Sequence, residues 1–207
     1  SDVCSSDLKI ARLVNLQHHS NVMVAVDNWD NIQEIDAAAI AKGVRVRVLI
    51  EVNTGMNRAG TLPGEATVAL AKRTAALKGV KLAGLMTWEA HTLRLTDMEE
   101  KRKAIESAIA TFVETVEACR KAGVEIGIVS CGGTGTYWMT ATQKGITEIQ
   151  AGGGIFSDML YRKSFGVEHP YAMTILATVT SRPDPKRIIC DAGKKTMTGD
   201  AAMPEPI

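Results

Sequence analysis

Apolar residues recur at helical spacing from Lys9, at Ile10, Leu13 and Val14, and then close up into a short run at 22–26 that ends at Asp27. A helical repeat followed by a continuous apolar run predicts a helix leading into a buried strand. The same unit returns. Residues 30–42 carry Ile32, Ile35 and Ala39 on one helical face, stop at Gly43 and lead into the largely β-branched run 44–52. Pro63 opens another helical pattern, with Val68, Ala71 and Leu77 in register, which stops at Gly79 before the run 82–87. The longest helix is predicted to open at Thr96, with Glu99 completing a capping box, and to stop at Gly123. A strand at 126–130, a glycine-rich loop and a compact strand at 146–150 follow. Five strands separated by helices imply parallel pairing with right-handed crossovers, which leaves an open doubly wound sheet or a (β/α)8 barrel.

The ends depart from this rhythm. Residues 172–180 alternate β-branched residues with others, 182–185 form a turn cluster, and 187–191 read as a second strand, so this segment is a hairpin opening an all-β domain. The prefix SDVCSSDL is polar, fits no period and breaks off where a helical pattern is already under way. It reads as foreign to the fold, like a translated adapter, and the chain is expected to be truncated at both ends. The expected division is 1–8 prefix, 9–170 barrel and 171–207 the start of the β domain.

Composition narrows the partners. Lys+Arg 24 against Asp+Glu 23 gives a net charge of +1, and aromatics make up 4%. There is no basic block for nucleic acid, and no apolar run approaches the roughly 18 residues of a membrane helix. Cys4, Cys119, Cys131 and Cys190 show no CxxC spacing, which argues against a disulfide framework or a zinc knuckle and for a reducing cytoplasm. No His pairs with Cys, Asp or Glu at metal-ligand spacing; His18, His19 and His169 read as structural or exposed.

The chemistry concentrates in two loops. CGGTGT (131–136) directly follows a strand, so its glycines can turn several N–H groups toward one anion, and AGGGIF (151–156) follows the next strand in the same way. In (β/α)8 enzymes a phosphate is commonly held by the loops after strands seven and eight, the places these loops take if the five strands are the last five of eight. The bland alternative is tight turns used for packing. Arg58, in EVNTGMNRAG, lies on a loop at the same rim, where a guanidinium stays charged and can donate to an anion. His91, in MTWEAHT, is a candidate proton carrier because its ordinary pKa lies near neutrality.

EVNTGMNRAG, GLMTWEAHT, CGGTGTY, EIQAGGGIFSDMLY and DAGKKTMTGD, in that order, resemble the D-threonine aldolase and D-serine dehydratase family of pyridoxal phosphate enzymes. The resemblance runs from about Lys9 to Asp200. It implies an alanine racemase-type barrel followed by a β domain, a homodimer when full length, and a lyase on small D-3-hydroxy amino acids that cleaves them as an aldolase or dehydrates them. Pyridoxal phosphate would be held by Gly132, Gly133, Thr134 and Gly135 and by Gly152, Gly153 and Gly154, with Arg58 beside its ring. Several positions depart from the family pattern: Asn53 replaces a frequent aspartate, Trp88-Glu89-Ala90-His91 replaces Tyr-Glu-Gly-His, and Gly153-Gly154 replaces a Ser-Tyr pair. By the same resemblance the Schiff-base lysine lies upstream of this chain, and the ligands of a divalent metal fall beyond Ile207. Lys194 and Lys195 read as exposed charges. The chain alone is therefore expected to bind phosphate weakly and to be inactive. A racemase of the same barrel type and a non-catalytic cofactor carrier are the alternatives.

Overall fold

The computed structural model describes residues 7–193, 195–197 and 205, and it comprises two compact units, 1–151 and 152–207. Residues 1–6 of the expected prefix lie outside the described residues, whereas Asp7 already begins a helix.

In the first unit the elements are α1 (Asp7–Leu16), β1 (Met23–Val26), α2 (Trp29–Ala41), β2 (Val46–Glu51), α3 (Glu65–Ala75), β3 (Val80–Met86), a 3-10 turn (Ala90–Thr92), α4 (Met98–Lys121), β4 (Ile128–Cys131), α5 (Tyr137–Thr140) and β5 (Glu148–Ile149). All four strand pairings are parallel, in the order β1-β2-β3-β4-β5. That order separates the two candidate architectures. A doubly wound sheet reverses at a switch point and carries helices on both faces. Here every strand adds beside its predecessor, so right-handed crossovers keep the helices on one face, as in a (β/α)8 barrel. The expected five-stranded part of a barrel, followed by a hairpin, is the fold observed.

The alternation within β2 shows how the sequence builds this layer. Val46, Val48, Ile50 and Val52 are 0–1% exposed and share one core with Ile32, Ile35 and Ala39 of α2, Leu70 and Ala71 of α3, and Ile105, Ile109, Phe112 and Val116 of α4. With a strand period of two, Arg47, Leu49 and Glu51 project from the opposite face. That face is partly polar: Ser130 Oγ donates to Glu148 Oε1 at 2.7 Å and accepts from Gln150 Nε2 at 2.7 Å.

Two sequence expectations need correction. The longest helix is capped not by Thr96 but by Asp97, whose carboxylate accepts from Glu100 N at 2.8 Å. An anionic acceptor suits the positive end of a helix better than a hydroxyl, and Glu99, freed from a capping box, pairs with Arg102 instead. The strands β4 and β5 are also shorter and later than their apolar runs, because β5 pairs only with Ser130 and Cys131 at the end of β4.

In the second unit a 3-10 turn (Gly152–Ile155) precedes α6 (Met159–Phe165), which Asp158 caps by accepting from Tyr161 N at 3.0 Å. An antiparallel hairpin follows, β6 (Val179–Asp184) and β7 (Arg187–Cys190). The predicted turn at 182–185 is strand up to Asp184, and the chain reverses at Pro185-Lys186, where Lys186 N donates to Asp184 Oδ1 at 2.8 Å. Pro183 is tolerated because, among the described residues, the hairpin has only two strands and so leaves each an unpaired edge. Lys195 is exposed, as expected, and Lys194 lies outside the described residues.

Among the described cysteines all three are free thiols, Cys119 and Cys131 buried and Cys190 exposed. Burial and the adjacent Glu89 charge push the Cys131 thiol well up, so it stays protonated and unreactive. In a Cys4→Ser chain a thiol reagent is therefore expected to label Cys190 alone until urea unfolds the protein. Rapid native labelling of Cys131 would contradict this packing.

Candidate functional site

Three loops leave the carboxyl ends of β2, β3 and β4, the rim on which barrel enzymes build their sites. The first is shaped by Asn53. Its Oδ1 accepts from Gly55 N at 3.0 Å and Asn57 N at 3.1 Å, and its Nδ2 donates to Asn57 Oδ1 at 3.0 Å. This asparagine turn holds Asn57 at φ 53, and Gly60 N donates to Asp27 Oδ2 at 2.8 Å, beyond the end of β1. Arg58 is thus presented from a closed loop. Its guanidinium lies 4.9 Å from the Trp88 ring centroid, and its Nη2 is 3.5 Å from Glu51 Oε1. Its side chain is half exposed.

The second loop is tied to the first by Thr87, whose hydroxyl donates to Val52 O at 2.7 Å and meets the Thr54 hydroxyl at 2.8 Å. His91 covers Gly55 closely: a Cβ at Gly55 would stand 2.8 Å from His91 Nε2. His91 itself is exposed.

The third loop, 131–136, is buried throughout. Gly132 adopts φ 77 and donates its N–H to Glu89 Oε2 at 3.2 Å, and Gly133 N donates to Thr136 Oγ1 at 3.1 Å. Thr136 N and Tyr137 N both return to Gly133 O, at 3.0 and 2.9 Å. A Cβ at Gly133 would stand 2.8 Å from Trp88 Nε1, and one at Gly135 would overlap the Leu93 side chain. Glycine here serves close packing against the second loop. What remains for a ligand is narrower than four glycines. The Thr134 hydroxyl is buried and has no hydrogen-bond partner, and the amides of Thr134 and Gly135 donate to no backbone carbonyl among the described residues.

Trp88 joins the parts, with Arg58 over its ring and Gly133 against its indole nitrogen. Arg58, His91 and Gly132 to Gly135 are thus brought together on one rim. Gly152, Gly153 and Gly154 belong to the second unit. There Ser157, at φ 52, donates its N–H to Gly153 O at 3.1 Å, and its own hydroxyl is buried without a partner.

Sequence reasoning passed over Trp88, Glu89 and Ser157 as site residues. For Glu89 a signal existed. A carboxylate directly after an apolar strand needs donors if it is buried, and Thr136 and Thr140, four residues apart, lie on one face of the short helix after the glycine loop. Lys101, 1% exposed in the first turn of α4, lies 5.6 Å from the Trp138 ring centroid, and burial holds its pKa below the usual lysine value. A hollow lined by Asn21, Arg47, Lys81 and Glu125 opens at the amino ends of the strands, the end that serves stability in this architecture. Among the described residues no three His, Cys, Asp or Glu side chains cluster to hold a metal. No helix among them is long and apolar enough to cross a membrane.

Comparison with known proteins agrees with this arrangement. The family described as "Alanine racemase, N-terminal domain" matches residues 5–159, and "Putative serine dehydratase domain" matches residues 172–206. A D-threonine aldolase of Arthrobacter sp is 31% identical over 200 residues, covering 95% of this chain and 52% of the relative. A D-threo-3-hydroxyaspartate dehydratase of Delftia sp. is 31% identical over 184 residues, covering 87% and 48%. The crystal structure of D-threonine aldolase from Filomicrobium marinum superposes with a TM-score of 0.90 at 30% identity, covering 97% of this chain and 55% of that one. The chain spans about half the length of the curated relatives it matches. With strand order, rim loops and a family match over 5–159 in agreement, the chain belongs to the alanine racemase N-terminal domain family.

Proposed function

We propose that this chain contributes the phosphate-binding part of the site in a pyridoxal phosphate-dependent lyase that acts on small D-3-hydroxy amino acids. The names of its relatives, an aldolase and a dehydratase of such compounds, support the reaction class. One observation carries the site: the buried, unpartnered Thr134 hydroxyl at the centre of the glycine loop. A buried hydroxyl without a partner costs about 1–3 kcal/mol, and a phosphate oxygen accepting from it would remove that cost.

Thr134, with the free amides of Thr134 and Gly135, would hold the phosphate; for Gly152 to Gly154 a phosphate role is proposed from the family resemblance alone. Arg58, oriented by Glu51 and Trp88, would lie beside the cofactor ring. When bound, the cofactor supplies an electron sink for bond breaking at the substrate Cα. His91 is placed to carry a proton between the rim and solvent. A divalent metal, a homodimer and a cytoplasmic setting belong to the same proposal for the whole protein. None of the rim segments 53–60, 87–95 and 131–136 contains a lysine, so the 207-residue chain is proposed to bind the cofactor non-covalently and to be inactive by itself.

Titration of the full chain with pyridoxal phosphate and with pyridoxal tests this reading. The phosphorylated form is expected to bind at least about tenfold more tightly, since hydrogen bonds to a charged group contribute about 1.5–3 kcal/mol. Thr134→Val is expected to remove about five- to tenfold of that preference. Equal binding of the two forms overturns the phosphate site. Release of glycine and acetaldehyde from D-threonine, or of pyruvate and ammonia from D-serine, by this chain alone would overturn its proposed inactivity and would separate aldolase from dehydratase.

A further inference from the structure

Glu89 is 0% exposed, and its two carboxylate oxygens are taken up on three sides. Oε2 accepts the Gly132 amide at 3.2 Å, and Oε1 accepts the Thr136 and Thr140 hydroxyls, each at 2.6 Å. These donors bracket the glycine loop: Gly132 is its entry, Thr136 its exit, and Thr140 lies one helical turn beyond. Cys131, just before the loop, also feels the Glu89 charge. A carboxylate in such a place needs a reason, because burying it is unfavourable unless donors compensate, and a negative charge next to an anion site would oppose the anion.

We infer that Glu89 is a positioning residue that decides which donors of the glycine loop remain for a phosphate; this rests on the phosphate reading above. A glycine turn can swing its amides toward either side. By accepting from both ends of the turn, Glu89 draws the Gly132 amide and the two hydroxyls inward. The Thr134 hydroxyl and the amides of Thr134 and Gly135, in the middle of the turn, are left unengaged. The three bonds, two of them short, also disperse the carboxylate charge on its own side of the loop. In Glu89→Met the length is kept, but both oxygens are lost and both ends of the bracket are released. Glu89→Gln would not do this, because its oxygen can stay on Gly132 N–H while its NH2 group donates to the Thr136 and Thr140 hydroxyls, which also accept.

The test compares pyridoxal phosphate and pyridoxal binding to the full chain and to its Glu89→Met and Thr140→Val variants, with near-ultraviolet circular dichroism to follow packing. Pyridoxal lacks only the phosphate, so the ratio of the two affinities reports the loop and is insensitive to a general loss of stability. Glu89→Met is expected to lower the ratio at least about tenfold with pyridoxal binding unchanged, and Thr140→Val, which removes a single donor, about threefold. Should Glu89→Met fail to fold, Thr140→Val decides the matter alone. A wild-type chain that does not prefer the phosphorylated form overturns the phosphate site itself. A wild-type preference that both variants retain, even at a lower melting temperature, leaves the site standing and overturns the positioning role.

Discussion

Gly84→Ala is expected to destabilise the first unit by about 3 kcal/mol or more, because overpacking against a backbone has no side chain to move aside. Gly84 pairs with Ile128 across β3 and β4. A Cβ built there would overlap the Ile128 carbonyl oxygen and stand 2.6 Å from its carbon and 2.8 Å from its Cα. The register between β2 and β3 skips Ala83, since Val48 faces Leu82 and Leu49 faces Gly84. That extra residue is a bulge, a place where close backbone approach calls for glycine. Relief requires β3 and β4 to part, and β4 carries the glycine loop, so the preference for pyridoxal phosphate should fall with stability. Gly127→Ala is the control. Its Cβ would meet only the Ala83 oxygen, at 3.5 Å, and the expected cost is about 0.5 kcal/mol or less. Urea unfolding of both variants checks the contrast, and equal midpoints would show that the β3–β4 approach is not tight.

Phe112→Ala is expected to cost about 3–5 kcal/mol, the usual range for emptying a phenylalanine site in a closed core. Phe112 is 0% exposed in α4, the helix whose Ile105, Ile109 and Val116 share the core with the buried face of β2. The same helix holds the start of α3, through Thr115 Oγ1 accepting from Gly64 N at 3.0 Å. A domain with about 5–15 kcal/mol of total stability loses a large share of it through this one cavity. Phe112→Leu, which refills most of the volume, should cost about 1–2 kcal/mol. The two variants are compared by urea midpoints at constant slope. A cost below about 1 kcal/mol for the alanine variant would mean that α4 does not carry the core assigned to it.

The candidate site was legible to an unequal degree. The glycine loops could be read because a glycine cluster directly after an apolar run has few other uses, and Arg58 because it follows a strand end on the same side. The donors within the loop could not be separated in this way. Gly132 spends its amide on Glu89, Gly133 and Gly135 are required by Trp88 and Leu93, and the free hydroxyl belongs to Thr134. Such distinctions depend on side chains more than forty residues away in the chain, and no local pattern reports them. The capping of α4 failed for a smaller reason: Thr96 and Asp97 are adjacent competent caps, and only the path of the chain chooses between them.

By itself, then, the sequence determined the main alternation of helix and strand up to β5, the parallel pairing it implies, and the apolar faces of the helices, because periodicity and glycine stops act over a few residues; the short helices α5 and α6 were not predicted. The resemblance already implied a barrel, but the pattern of elements left a doubly wound sheet open, and only the tertiary structure gave the strand order β1-β2-β3-β4-β5 that separates the two, since crossover order is a property of the whole layer. It also decided that a buried glutamate, invisible to any motif of loop glycines, stands behind the turn. Hydrogen bonds between Glu89 and residues 132, 136 and 140 form only when consecutive β/α units lie side by side.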